Sequence, residues 1–265
     1  MTRTLKLTIA YDGTDFHGWQ SQAGMRTVQS ELTDIARRVI GLPISITGAS
    51  RTDAGVHAVG QVAHMRLDSP IPTENIRRAI NHRLPDDVTI VSIAETHDGF
   101  NAIRDARHKQ YRYRIFPGEQ RPVADLRQRF TWHVWVPQAI EQMRAAAQRM
   151  VGTRDFAAFA SPGSPRHSTV RTVSRVDVRD EAPEIVIDVE GDGFLYQQVR
   201  NMVGTLVEVG RGHWTPDRVS EALESCSRED AAGAAPPQGL CLRWIRYDEP
   251  NDARPMSQGD EDEPA

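Results

Sequence analysis

The chain holds two cysteines in 265 residues, Cys226 and Cys241. That is too few for a disulfide framework or a four-cysteine zinc site, and it fits reduced thiols in the cytoplasm. No apolar run approaches the roughly 18 residues of a membrane span, so no membrane partner is expected. The opening MTRTLKLTIAYDG lacks the apolar core of a secretory signal. The nine histidines are scattered, with no ligand pair on one helix face, and there is no Gly-rich phosphate loop or Ser-His-Asp pattern. No metal is therefore expected. Lysine is nearly missing as well: of 32 basic residues only Lys6 and Lys109 are not arginine. Guanidinium groups bind phosphates bidentately and stack on bases. A GC-rich genome would also raise arginine, so clustering is the better evidence.

Net charge is −4, at first sight unfavourable for a polyanionic partner. The average hides a tail. Residues 248–265 carry seven acids and one arginine, and the remaining residues sum to +2. So acidic a tail, with little to bury, is expected to be disordered. Residues 104–129 hold eight Arg or Lys against three acids, a basic stretch that contains Tyr111 and Tyr113.

Hydrophobic periodicity sets the coarse plan. Leu5, Leu7 and Ile9 alternate as a half-buried strand. A helix is expected from Thr27 as N-cap to a stop at Gly41, with strands at 44–50 and 57–67, a helix at 73–84 and a strand at 88–94. This strand-helix-strand-strand-helix-strand order is the ferredoxin-like split unit. The second half repeats it with a strand at 110–116, a helix at 137–151 and a hairpin across 171–194. A helix from Leu195, a helix started by Thr215-Pro216 and a strand at 240–248 complete it. The expected architecture is α+β: two ferredoxin-like (RRM-like) halves, 1–104 and 105–247, their antiparallel sheets side by side around a central cleft, then the tail at 248–265. The Gly- and Pro-containing loop at 152–170 is long enough to suggest function.

Few groups remain for chemistry. GASRTDAGVHA, residues 48–58, reads locally as a hairpin turn, yet it carries Arg51, Asp53 and His57. A second arginine, Arg200, lies on an amphipathic helix of the other half, where a surface position is the plain alternative. An opposite charge close by would favour the ionised carboxylate, suited to act as nucleophile or base. His57 has no serine or cysteine partner nearby and is assigned a hydrogen-bonding role. Tyr111 and Tyr113 share one strand face, as a core pair or as a stacking platform for a base, with Arg112 and Arg114 opposite; local reasoning leaves both open.

At these residues the chain resembles a family. YDGTDFHGWQSQ (11–22), TVQSEL (27–32), GASRTDAGVHAVGQVAH (48–64), HKQYRYRI (108–115), FLYQQVRNMVGTLVEVGRG (194–212) and QGLCL (238–242) occur in the order of the tRNA pseudouridine synthase A family. The likeness runs from about residue 5 to 247. It implies that Asp53 is the catalytic aspartate and that Arg51 enters the RNA stem to help displace the target base. It further implies that Tyr111 stacks on the uracil and serves in proton removal, that Arg200 pairs with the aspartate, and that Leu240 lines the uracil pocket. The implied enzyme is a homodimer that isomerises uridines 38, 39 and 40 of the tRNA anticodon stem–loop without a cofactor.

The chain departs from the family pattern at three places. Ser50 stands where glycine is frequent. Phe100-Asn101-Ala102-Ile103-Arg104 replaces the usual Phe-His-Ala-Arg-Phe, and Gln197-Gln198 replaces His-Met. The alternatives are a synthase of the same family acting on other RNA uridines, and a non-catalytic RNA-binding module that would tolerate loss of Asp53.

Overall fold

The computed structural model describes residues 2–123, 125–163 and 168–248. The first helix shows how the sequence signals act. Thr27, in extended backbone, accepts from the Ser30 amide while the Ser30 hydroxyl bonds back, and Gly41 closes the helix at φ 75°. Between these caps α1 (Val28–Ile40) buries Val28, Leu32, Ile35 and Ala36, one stripe at helical spacing. The strand before it, β1 (Arg3–Tyr11), buries Leu5, Leu7 and Ile9 on alternate positions.

Then come β2 (Ile46–Gly48), β3 (His57–Leu67), α2 (Thr73–Asn81) and β4 (Val88–Thr96). The remainder runs β5 (Ala106–Pro117), β6 (Trp132–Val134), α3 (Ile140–Arg149), β7 (Gly152–Asp155), β8 (Val170–Glu181), β9 (Glu184–Gly191), α4 (Gln198–Gly210), α5 (Asp217–Ser225) and β10 (Leu240–Tyr247). Helix α5 begins one residue later than the Thr215-Pro216 signal implies, with Pro216 at the cap and no side-chain cap bond. Strands β6 and β7, three and four residues long, are too short to show a period. The second of them occupies the start of the expected loop at 152–170. Of the acidic tail only Asp248 is described; its carboxylate meets Arg107 Nε at 2.6 Å.

The protein is mixed α/β, built on a large, mostly antiparallel sheet. Its strand order is β4-β1-β3-β10-β5-β9-β8-β7, with β2 on β3 and β6 on β5. Where the sequence suggests two sheets, the structure has one. The reason lies in β3, which is eleven residues long. The short β2 covers only its far end, pairing Ile46 with Met65 and Gly48 with Ala63. That leaves the start of the same edge open, and β10 joins it in parallel at Cys241–His57 and Leu242–Ala58. The strands come very close there: a Cβ on Gly60 would lie 2.2 Å from the Arg243 carbonyl oxygen. The β2–β3 loop, which contains Asp53, therefore sits where the edge of β3 passes from one partner to the other. One hydrophobic core runs beneath both ends of the sheet.

Candidate active site

The Asp53 loop is held by the segment that follows β1. The Trp19 amide donates to the Thr52 carbonyl at 3.0 Å and the Gly55 amide to the Phe16 carbonyl at 3.3 Å. The Tyr11 and Thr52 hydroxyls share a bond of 2.7 Å. Gly18, at φ 86°, would drive a Cβ to 2.5 Å from the Thr52 carbonyl oxygen, so only glycine lets the two loops touch. Within the loop the Val56 amide closes a turn onto the Asp53 carbonyl at 3.2 Å. The bland hairpin reading is thus half right: there is a turn, and it is braced from outside.

Facing Asp53 is Arg200, on α4. This helix is buried almost all round, which removes the surface reading of Arg200. Asn201 anchors it, donating to the Phe159 carbonyl at 2.7 Å. Arg200 Nε donates to the Ala235 carbonyl at 2.7 Å, and Nη1 donates to Asp53 Oδ2 at 2.7 Å. The pair is mostly enclosed, the side chains of Arg200 and Asp53 being 12% and 21% exposed. Such charge-assisted bonds fix the carboxylate's direction.

Tyr111 on β5 and Leu240 at the start of β10 complete a small cavity with Arg51, Asp53, Phe194 and Arg200. Both residues are buried. The Tyr111 ring meets Phe194 edge-on at 5.5 Å, leaving its hydroxyl bonded to Ser50 Oγ at 2.9 Å. Burial pushes the Tyr111 phenol up to about 12, with the Asp53 charge adding to the rise and the Ser50 hydrogen bond opposing it. Asp53, Arg51, Tyr111, Arg200 and Leu240, spread over most of the chain, are therefore brought together, with Arg51 exposed at the rim. The cavity pairs an oriented carboxylate with a phenol and an apolar wall. That combination suits a flat ring undergoing proton transfer and nucleophilic attack.

Other sequence-singled residues divide. Tyr113 shares the face of Tyr111 but is fully buried, its hydroxyl donating to the Pro236 carbonyl at 2.7 Å; it is core, not platform. Arg112 and Arg114 point away and pair with Asp188 at 2.8 Å and Glu184 at 2.6 Å. His57 is buried, with Nδ1 accepting from the Gly13 amide at 3.0 Å and Nε2 against the Gln238 carbonyl at 3.2 Å, a hydrogen-bonding residue. Arg104 donates to Asp105 and to the Gly99 carbonyl while Ile103 is exposed. A larger cavity of about 380 Å³ lies on the opposite sheet face, among His57, Phe130, Arg112 and Cys241. It is the roomier of the two, yet Asp53, Tyr111 and Arg200 are absent from its lining.

The sequence reading missed the polar bracing. Gln61 is wholly buried and clamps Ser50 from both sides. Its Oε1 accepts from the Ser50 amide at 3.2 Å and its Nε2 donates to the Ser50 carbonyl at 2.6 Å. Lys109 Nζ donates to the Ala49 carbonyl at 3.0 Å and to Ser50 Oγ at 3.3 Å. The one available signal was that Lys109 is one of two lysines in an arginine-rich chain.

A family model described as tRNA pseudouridine synthase matches residues 7–102 and 146–248. These segments hold Asp53, Arg200 and Leu240. Among curated relatives, a tRNA pseudouridine synthase A of Thermoanaerobacter sp. (strain X514) is 41% identical over 246 residues, covering 92% of this chain and 100% of that protein. One of Pelobacter propionicus is 42% identical over 245 residues, at 92% and 100% coverage. One of Limosilactobacillus fermentum is 43% identical over 250 residues, at 92% and 96%.

Proposed function

This chain belongs to the tRNA pseudouridine synthase family, and from that premise we propose that it isomerises uridine to pseudouridine at positions 38, 39 and 40 of the tRNA anticodon stem–loop, with Asp53 as the acting carboxylate. The observation that carries the proposal is the Asp53–Arg200 pair at 2.7 Å in one cavity with Tyr111 and Leu240.

The reaction breaks the N1–C1′ bond, turns the uracil and rejoins it through C5. The C5 proton is lost and N1 gains one, so nothing is oxidised. The base must first leave its stack, at a cost of a few kcal/mol. Arg51, exposed at the rim, is suited to enter the stem and offset it. Arg200 keeps Asp53 aimed at the ribosyl-uracil unit, Leu240 supplies an apolar wall for the ring, and Tyr111 faces the ring and receives the C5 proton.

The strand orders β4-β1-β3-β2 and β10-β5-β9-β8 follow one plan, and we read them as two ferredoxin-like halves divided near residue 104. Substrate tRNA is gripped across a homodimer. The test is a tRNA transcript with uridine at 38, 39 and 40, incubated with the purified protein and mapped by carbodiimide labelling. Pseudouridine at those positions supports the reading; pseudouridine only elsewhere, or none, overturns it.

A further inference from the structure

Ser50 lies three residues before Asp53 and makes contacts that a turn residue does not need. Its backbone amide and carbonyl are both held by the buried Gln61 amide, so the direction of its side chain is set. Its Oγ stands 2.9 Å from the Tyr111 hydroxyl and 3.3 Å from Lys109 Nζ. A lysine ammonium only donates, which makes Ser50 Oγ the acceptor in the second contact. Of the two directions open to the Ser50–Tyr111 bond, the one that serves a phenolate places the Ser50 proton on the Tyr111 oxygen. In that direction the phenolic proton of Tyr111 is free to point into the cavity that also holds Asp53, Phe194 and Leu240. The chain Lys109–Ser50–Tyr111 then has one polarity, with positive charge at its far end.

We propose that Ser50 is a positioning residue for the proton-transfer step, coupling the Lys109 ammonium to the Tyr111 hydroxyl so that negative charge developing on that oxygen is stabilised. This rests on the reading of Tyr111 given above. In the step served, the C5–H bond breaks and its pair forms the ring C5=C6 bond, while the C6=N1 π pair moves to N1, which takes up a proton. Tyr111 gives its phenolic proton to N1 and receives the C5 proton, so it ends as it began. Its oxygen carries charge only in between, and there the Ser50 hydrogen bond strengthens. Burial alone makes a phenolate costly at this position; the Ser50 proton, backed by a cation, offsets part of that cost.

The experiment compares wild type with Ser50→Ala, Ser50→Gly and Ser50→Thr on tRNA transcripts carrying protium or deuterium at uridine C5. Loss of the hydroxyl is expected to lower kcat roughly tenfold, the scale of one hydrogen bond to a charged group, with KM unchanged. The 5-deuterium isotope effect on kcat is expected to rise as proton removal becomes limiting, and Ser50→Thr is expected to restore both. An unchanged isotope effect in Ser50→Ala and Ser50→Gly, or a loss confined to KM, overturns the proposal while leaving the pseudouridine reading intact. Wild type yielding no pseudouridine overturns both.

Discussion

Asp53 and Arg200, 147 positions apart in the chain, meet at 2.7 Å beside the junction where β3 passes from β2 to β10. The second Arg200 bond, to the Ala235 carbonyl, means that the guanidinium is fixed by the protein and in turn fixes the carboxylate. Lysine cannot make both contacts from one planar fork. Arg200→Lys is therefore expected to lower kcat/KM on a tRNA transcript at least roughly tenfold, corresponding to a lost charged hydrogen bond of about 1.5–3 kcal/mol. Circular dichroism should stay that of the folded protein. A variant with wild-type turnover would remove Arg200 from the account.

Gln61→Ala unpairs both backbone groups of Ser50 in a site without exposure. Each buried polar group left unsatisfied costs about 1–3 kcal/mol. Urea unfolding should show a lower midpoint at an unchanged slope, and activity should fall because the Asp53 loop loses its brace.

Gly60→Ala tests the joint in the sheet. Its Cβ would lie 2.2 Å from the Arg243 carbonyl oxygen, a backbone atom that cannot turn aside. Overpacking of this kind costs about 1–3 kcal/mol, and in a chain of this size each kcal/mol lowers the thermal midpoint by roughly 2–4 °C. A midpoint equal to wild type would mean that β3 and β10 are not held as closely as described.

The buried His57 gives a pH dependence. Burial pulls its pKa below 6.5, against the opposing charge of Asp12, and protonation would spoil the Nδ1 acceptor that the Gly13 amide uses. With the folded pKa below the unfolded one, the unfolded chain binds the extra proton. The stability that His57 contributes is therefore present above about pH 6.5 and lost as pH falls from there towards the lowered folded value. His64, lowered by burial and by Arg66, acts in the same sense. Thermal midpoints measured across that window should fall with pH, and His57→Gln should make the fall shallower.

Much of the fold was legible because its signals are local. Thr27 and Gly41 bound α1, and the alternation of Leu5, Leu7 and Ile9 marks β1. Asp53, Tyr111, Arg200 and Leu240 were found through motifs, and the structure brings them into one cavity. What stayed hidden depends on partners distant in sequence. The outer edge of β3 is shared between β2 and β10, and no periodicity in 57–67 announces that. Gln61 sits in a strand where a glutamine normally faces water, and only the fold shows that it is wholly buried. The two tyrosines of β5 have the same spacing and face, yet Pro236 and Gly239 close over Tyr113 while Tyr111 is left to the cavity.

The central claim is that Asp53 acts chemically rather than structurally. Asp53→Asn keeps the size of the side chain and an oxygen for Arg200 while removing the charge, so the most direct measurement runs this variant and wild type side by side. Both would be titrated with a tRNA transcript and assayed for pseudouridine at positions 38, 39 and 40. The account expects similar affinity and thermal midpoint for the two proteins, with product from wild type alone. Pseudouridine formed by Asp53→Asn at the wild-type rate would contradict it.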